Sequence, residues 1–196
     1  YSMIAGGTSN SIEDTRSFIG SGADNLVTSS YAVVTGGLAN AVRSDKTFIG
    51  GGMINTIHES GLYAGLVAGY NNYVDNTAGF VGAGYYNEVL GDGGSVVGGY
   101  INAVAANYAT ITGGSYNRIT ADNAMVGGGN ANTVAGGNGA VVAGTFNRAT
   151  GTNAFLGGGQ SNTVHNTYGV LVGGLSNLAN GTAVFIGAGT ENVVVG

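Results

Sequence analysis

GGYINAV, from Gly98 to Val104, is one instance of a phrase that returns along the whole chain at a fixed pitch. Its asparagine serves as a register mark: Asn10, Asn25, Asn40, Asn55, Asn72, Asn87, Asn102, Asn117, Asn132, Asn147, Asn162, Asn177 and Asn192. Every step is 15 residues except the step of 17 between Asn55 and Asn72. A glycine stands three places before the mark in all 13 copies, from Gly7 through Gly84, Gly99 and Gly114 to Gly189. A period of this length, kept from end to end, predicts one all-β repeat domain over 1–196, a parallel β-roll or β-solenoid of about 13 stacked coils.

Two aliphatic columns mark the inside of that roll. Six places before the asparagine stand Ile4, Ile19, Val34, Ile49, Leu66 and their counterparts to Ile186; two places after it stand Ile12, Val27, Val42, Ile57, Val74 and their counterparts to Val194. β-branched residues dominate both columns, as a stacked pleated surface prefers. Small residues such as Ala109 and Gly113 flank the first column at alternate positions, so the core is one aliphatic side chain thick. The neighbours of the asparagine then point outward, where Asp24, Glu88, Arg118, Arg148 and Glu191 fall. Other charges, including Glu13, Asp14, Arg16, Asp45 and Lys46, lie three to six places after the mark, in a solvent turn. The two extra residues enter that same turn, between His58 and Gly65, where an insertion costs a solenoid least. The repeated asparagine and glycine, represented by Asn87, Asn102, Asn117, Gly84, Gly99 and Gly114, read as structural turn residues. The asparagine stacks on its copies, and the glycine supplies a positive φ or a close approach.

Bulk composition narrows the function. Forty glycines and 8% charge would fit a disordered linker, but 43% hydrophobic residues held in register require a packed core. Glycine without proline excludes a collagen-like chain. A net charge of −5 with 5 Lys and Arg lacks the footprint of a nucleic-acid binder and speaks against anionic membranes as partners. Without cysteine there is no disulfide framework or thiolate metal site. No apolar run approaches the length of a membrane span and no charged-then-apolar leader opens the chain, so no membrane insertion by this stretch is expected. Both ends fall inside a repeat, and the chain reads as a segment of a longer protein.

One face needs a partner. The positions seven and five places before the asparagine number 26 and carry no charge, which is not the composition of a solvated face. Large residues there sit beside glycine: Phe18 with Gly20, Phe48 with Gly50, Phe80 with Gly82, Met125 with Gly127, Phe155 with Gly157 and Phe185 with Gly187. Interdigitation between copies of the chain has this pattern, so Phe18, Phe48, Phe80, Met125, Phe155 and Phe185 are the expected interface of a homo-oligomer. Closed symmetry is the default, and spacing alone leaves dimer and trimer open.

The copies ATITGGSYNRI, SVVGGYINAV and VLVGGLSNLA resemble the YadA-like head repeats of trimeric autotransporter adhesins, in the GGxxN-type variant. The resemblance spans essentially all 196 residues, with a longer and stricter repeat than that family's and no neck, stalk or anchor. It implies a left-handed parallel β-roll assembled as a homotrimer and exposed outside the cell on a bacterial surface. The function it implies is non-enzymatic attachment by multivalent display to a host or surface glycan, a matrix protein or an abiotic surface. The alternative is a structural spacer or a phage or virion fibre shaft that carries a separate receptor-binding tip.

No catalytic constellation assembles from the sequence, and no catalytic, cofactor or metal site is expected. His58 and His165 share a column but lie seven coils apart, roughly 30 Å at one strand spacing per coil, and read as turn residues. The acids are scattered, with Glu13 and Asp14 the only adjacent pair, and no paired carboxylate cleft supports glycan hydrolysis. Gly127 to Gly139 is similar in composition to a calcium-binding nonapeptide but lacks its aspartates and period. No threonine column supports ice binding.

Eight of 11 tyrosines lie between Tyr63 and Tyr116. Tyr70, Tyr85 and Tyr100 occupy one column two places before the asparagine in consecutive coils and are expected to stack about 4.8 Å apart. Tyr86 and Tyr116 stand one column over. These five are either a stiffening ladder or a contact surface for a glycan or protein.

Overall fold

Each coil contains two short extended segments, one ending six places before the register asparagine and one ending within three places after it. The computed structural model describes residues 1–196 and contains 26 such strands and no helix. The chain divides into two compact units, Tyr1–Tyr100 and Ile101–Gly196. In the first unit the strands from Met3–Ile4 to Ser95–Val96 form one parallel sheet. Those from Ser11–Ile12 to Glu88–Val89 form a second. The second unit repeats the arrangement, with one sheet from Thr110–Ile111 to Phe185–Ile186 and another from Ala103–Val104 to Val193–Val195. The fold is therefore a parallel β-solenoid with a 15-residue coil.

The two aliphatic columns are its core. Ile19, Val34, Ile49 and Leu66 of the first column and Val27, Val42, Ile57 and Val74 of the second are fully buried, as are their counterparts Ile111, Leu156, Ile119 and Val134 in the second unit. Two places before the first column the space is filled by Ala, Ser, Thr or Gly in every coil but the last, which carries Val184; Ala32, Thr47, Ala64 and Ala109 are examples. A core one side chain deep leaves the coil-to-coil hydrogen bonds to do much of the fastening.

The asparagine column supplies many of them. Asn40 is fully buried; its Nδ2 reaches Asn25 Oδ1 at 3.0 Å, Gly36 O at 3.2 Å and Gly52 O at 3.0 Å. Its Oδ1 accepts from the backbone N–H of Asn55 at 3.0 Å and from Asn55 Nδ2 at 3.2 Å. Each rung thus satisfies the turn of its own coil and both neighbouring rungs, which is what a buried amide requires. Gly37, three places before, has φ +101°, and a Cβ there would drive into the Gly52 backbone and the Asn40 amide.

The residue immediately before each asparagine is also left-handed, with φ between 51° and 57°, although none of these residues is glycine. The set includes the β-branched Ile54 and Ile101, for which this backbone is rare. Its reason lies in the hydrogen bonding. Leu38 N donates forward to Gly52 O, whereas Ile54 N donates backward to Leu38 O, each at 2.9 Å. The left-handed turn reverses the direction of the N–H and ties the corner to both adjacent coils.

In the solvent turns the acids are more than solvating groups. Asp45 Oδ1 accepts from Ser30 N at 2.8 Å, Asp92 Oδ1 from Thr77 N at 3.1 Å and Asp122 Oδ1 from Asn107 N at 2.9 Å. Each caps the turn of the coil before it. The insertion bulges at the exposed Glu59 and Ser60, closed by Gly61 N to His58 O at 3.0 Å, and the strands on either side keep their register.

Candidate functional site

The outer face of the first sheet carries the uncharged residues. In Tyr1–Tyr100, Phe48, Phe80, Val67 and Val97 are exposed in the single chain; Phe18 is half-buried. In Ile101–Gly196, Met125, Phe155, Phe185, Val142 and Val172 are exposed. The space beside Phe18, Phe48, Phe80 and Phe185 is used within the same chain segment. A Cβ on Gly50 would come within 3.2 Å of Phe48 Cε1, and one on Gly82 within 3.5 Å of Phe80 Cε1. The ring lies along its own glycine, where the sequence reading gave that space to a neighbouring chain, and its other side stays open. The same Cβ atoms would also run into the carbonyls of Val67 and Val97.

A second surface runs along the corner of the first unit. Leu38, Met53, Tyr70, Tyr85 and Tyr100 follow one another through parallel backbone bridges. Their rings do not form the regular stack expected. Tyr70 and Tyr85 lie 6.1 Å apart and tilted by 36°. Tyr86, whose backbone is left-handed, turns its ring edge-on to Tyr70 at 5.4 Å and to Tyr100 at 6.3 Å. Aromatic quadrupoles disfavour a face-to-face column and favour this edge-to-face arrangement. Tyr86 therefore belongs to the same surface as the other three, and its hydrogen bond with Tyr70 is the leading cause that raises its phenol pKa above the ordinary value. Tyr85 is 57% exposed. Gly37, Gly52 and Gly69 floor a shallow depression of about 520 Å³ walled by Leu38, Met53, Tyr70 and Tyr85. Leu38, Met53 and Ile54 were not singled out from sequence, although their column positions carry the signal. Tyr116, 51% exposed, lies in the other unit, where the column two places before the asparagine runs Ser115, Asn130, Thr145, Gln160, Leu175 and Thr190, polar at every place but Leu175 and without an aromatic ring.

The structure also assembles a group that sequence reading treated as separate residues. Asp75 accepts on Oδ1 from Ser60 N at 3.3 Å and pairs there with His58 Nδ1 at 3.1 Å, while Oδ2 accepts from the Tyr73 hydroxyl at 3.1 Å. Burial, then the bond to Asp75 and its charge, push the Tyr73 phenol up to about 12. The group fastens the inserted turn to the next coil. His165 meets Thr150 Oγ1 at 2.7 Å in the second unit. Elsewhere along the same line of turns, Arg16 and Lys46 are held over the rings of Tyr31 and Tyr63 at 5.2 Å and 5.0 Å, so these cations of the solvent turn are engaged along the solenoid. No group of three or more His, Asp or Glu side chains is placed to hold a metal ion.

No family model matches the chain, and no curated protein matches it in sequence.

Proposed function

We propose that this chain is a non-enzymatic, extracellular attachment module, a head segment of a trimeric bacterial surface adhesin in which three left-handed solenoids pack through the outer faces of their first sheets. The observation that carries the reading is the character of those faces. In each unit an uncharged row of Phe, Met and Val is left exposed by a fold that buries its aliphatic columns everywhere except in the end coils. Exposed apolar rows of this kind mark association surfaces. Attachment by such a fibre would rest on many weak contacts presented together. Light scattering on the purified chain tests the assembly, with three chains per particle expected. Retention of coated beads on matrix protein or host cells tests attachment. A stable monomer would overturn the trimer, and a trimer that attaches to nothing would leave the spacer reading in its place.

A further inference from the structure

The corner of the first unit is set apart by its run of large apolar and aromatic side chains, Leu38, Met53, Tyr70, Tyr85 and Tyr100 in consecutive coils. From Gly36 to Tyr100, the four residues ending just before each asparagine contain no charge: Gly36 to Ala39, Gly51 to Ile54, Ala68 to Asn71 and Ala83 to Tyr86, followed by Gly98 to Ile101. Leu38, Met53, Ile54, Tyr85, Tyr86 and Tyr100 are all exposed there. A peptide strand could not be recruited to this surface by its backbone, because the backbone donors are already used. Met53, Tyr70 and Tyr85 donate forward to the glycine carbonyl of the next coil, and Ile54, Asn71 and Tyr86 donate backward to the coil before. An extended peptide lying along the axis would also advance about 3.3 Å per residue, out of step with coils spaced about 4.8 Å apart. What remains available is aromatic ring face, phenol hydroxyl and a flat glycine floor.

We infer that the Leu38 to Tyr100 corner binds a neutral β-1,4-linked glycan chain lying along the solenoid axis, with about one pyranose per coil. Such a chain is straight and ribbon-like and advances by nearly the coil spacing of about 4.8 Å. The apolar C–H faces of its sugars suit the rings of Tyr70, Tyr85 and Tyr100, and the phenol hydroxyls meet sugar hydroxyls. The absence of charge selects against uronate and sulfate polymers. This deepens the attachment reading by naming the ligand class, and it rests on that reading.

The test uses the intact chain and oligosaccharides of defined length. Calorimetric titration with chitin- and cellulose-derived oligomers should show affinity rising with length up to about five sugars, one for each coil from Leu38 to Tyr100, and then levelling. Maltohexaose, whose α-linkages curve the chain, should bind at least tenfold more weakly. Tyr85→Ala should weaken binding about tenfold, the loss of one stacking contact, while Tyr85→Phe keeps most of it. Native mass measured on the same variants separates loss of the glycan site from loss of assembly. Absence of binding by any β-1,4-linked hexaose, equal binding of maltohexaose, or Tyr85-dependent capture of matrix peptides instead of glycans would each overturn the inference, and none of them bears on whether the chain is trimeric.

Discussion

Asn55 hands its side-chain carbonyl to Asn72, whose backbone N–H and Nδ2 both donate to Asn55 Oδ1, at 3.0 Å and 3.1 Å, across the one step of 17 residues in the chain. The bond lengths match those on the regular steps, such as Asn117 on Asn132 at 3.0 Å and 3.1 Å. The insertion is therefore absorbed wholly in the outer turn, and the ladder passes through it unchanged. A rung is defined by what it bonds, whatever number of residues separates it from the next.

Asn132→Ala should be among the most damaging single substitutions outside the aliphatic columns. It strips bonds from Asn117 Oδ1, Gly128 O, Gly144 O and Asn147 N in one stroke, two of them buried and two part-buried. Each unsatisfied buried group costs about 1–3 kcal/mol, so a loss of about 3–5 kcal/mol is expected. Chemical denaturation of wild type and variant measures it directly. A change below about 1 kcal/mol would mean that the amide ladder is decorative.

Asn166→Ala should act in the opposite direction. Asn166 is buried in a turn, and neither its Nδ2 nor its Oδ1 has a partner. The equivalent places in other coils of the same unit carry Ala106, Gly136 and Gly151, which bring no polar side chain. Replacing the amide by a methyl removes an unpaired buried dipole while the backbone bond from Gly169 N to Asn166 O remains. A gain of about 1–2 kcal/mol is expected in the same denaturation assay.

The core and the ladder were legible in the sequence because a strict period turns every structural requirement into a column: Val34 and Asn40 are buried for the reasons their columns suggested. What escaped is what a column does not encode. The left-handed backbone before each asparagine is invisible because Ile54, Tyr86 and Asp24 all adopt it, compelled by the reversed N–H rather than by residue type. The ring arrangement of Tyr70, Tyr85 and Tyr86 depends on side-chain torsions, which a 15-residue period leaves free. The pairing of His58 with Asp75, by contrast, could have been read: both stand three places after an asparagine in adjacent coils, hidden only by counting 17 residues between them.

Tyr73 should be a late-titrating phenol. Burial and the bond to the Asp75 carboxylate favour its neutral form and push its pKa up to about 12, from an ordinary value near 10. The unfolded phenol ionises first, so this group's contribution to stability is fully present below about pH 10 and is lost as pH rises toward 12. Absorbance titration at the phenolate band should show the Tyr73 phenol displaced upward to about 12. Asp75→Asn should bring it down; if the titration curve does not move, burial alone sets the pKa.

The assembly itself is open to a paired substitution within one unit. Val97 is exposed on the outer face of the first sheet, and a carboxylate there would be buried without a partner if that face is shared between copies. Ala41 stands on the outer face of the second sheet, in the column that elsewhere carries Glu88, Arg118 and Arg148 and so tolerates charge. Val97→Glu should reduce the native mass toward that of one chain, because truncating packing and stranding a charge at an interface costs several kcal/mol per copy. Ala41→Glu should leave the mass unchanged. Circular dichroism on both variants confirms that the coils remain folded. Equal masses for the two variants would place the contact between copies elsewhere, and loss of assembly in Ala41→Glu alone would move it to the second sheet.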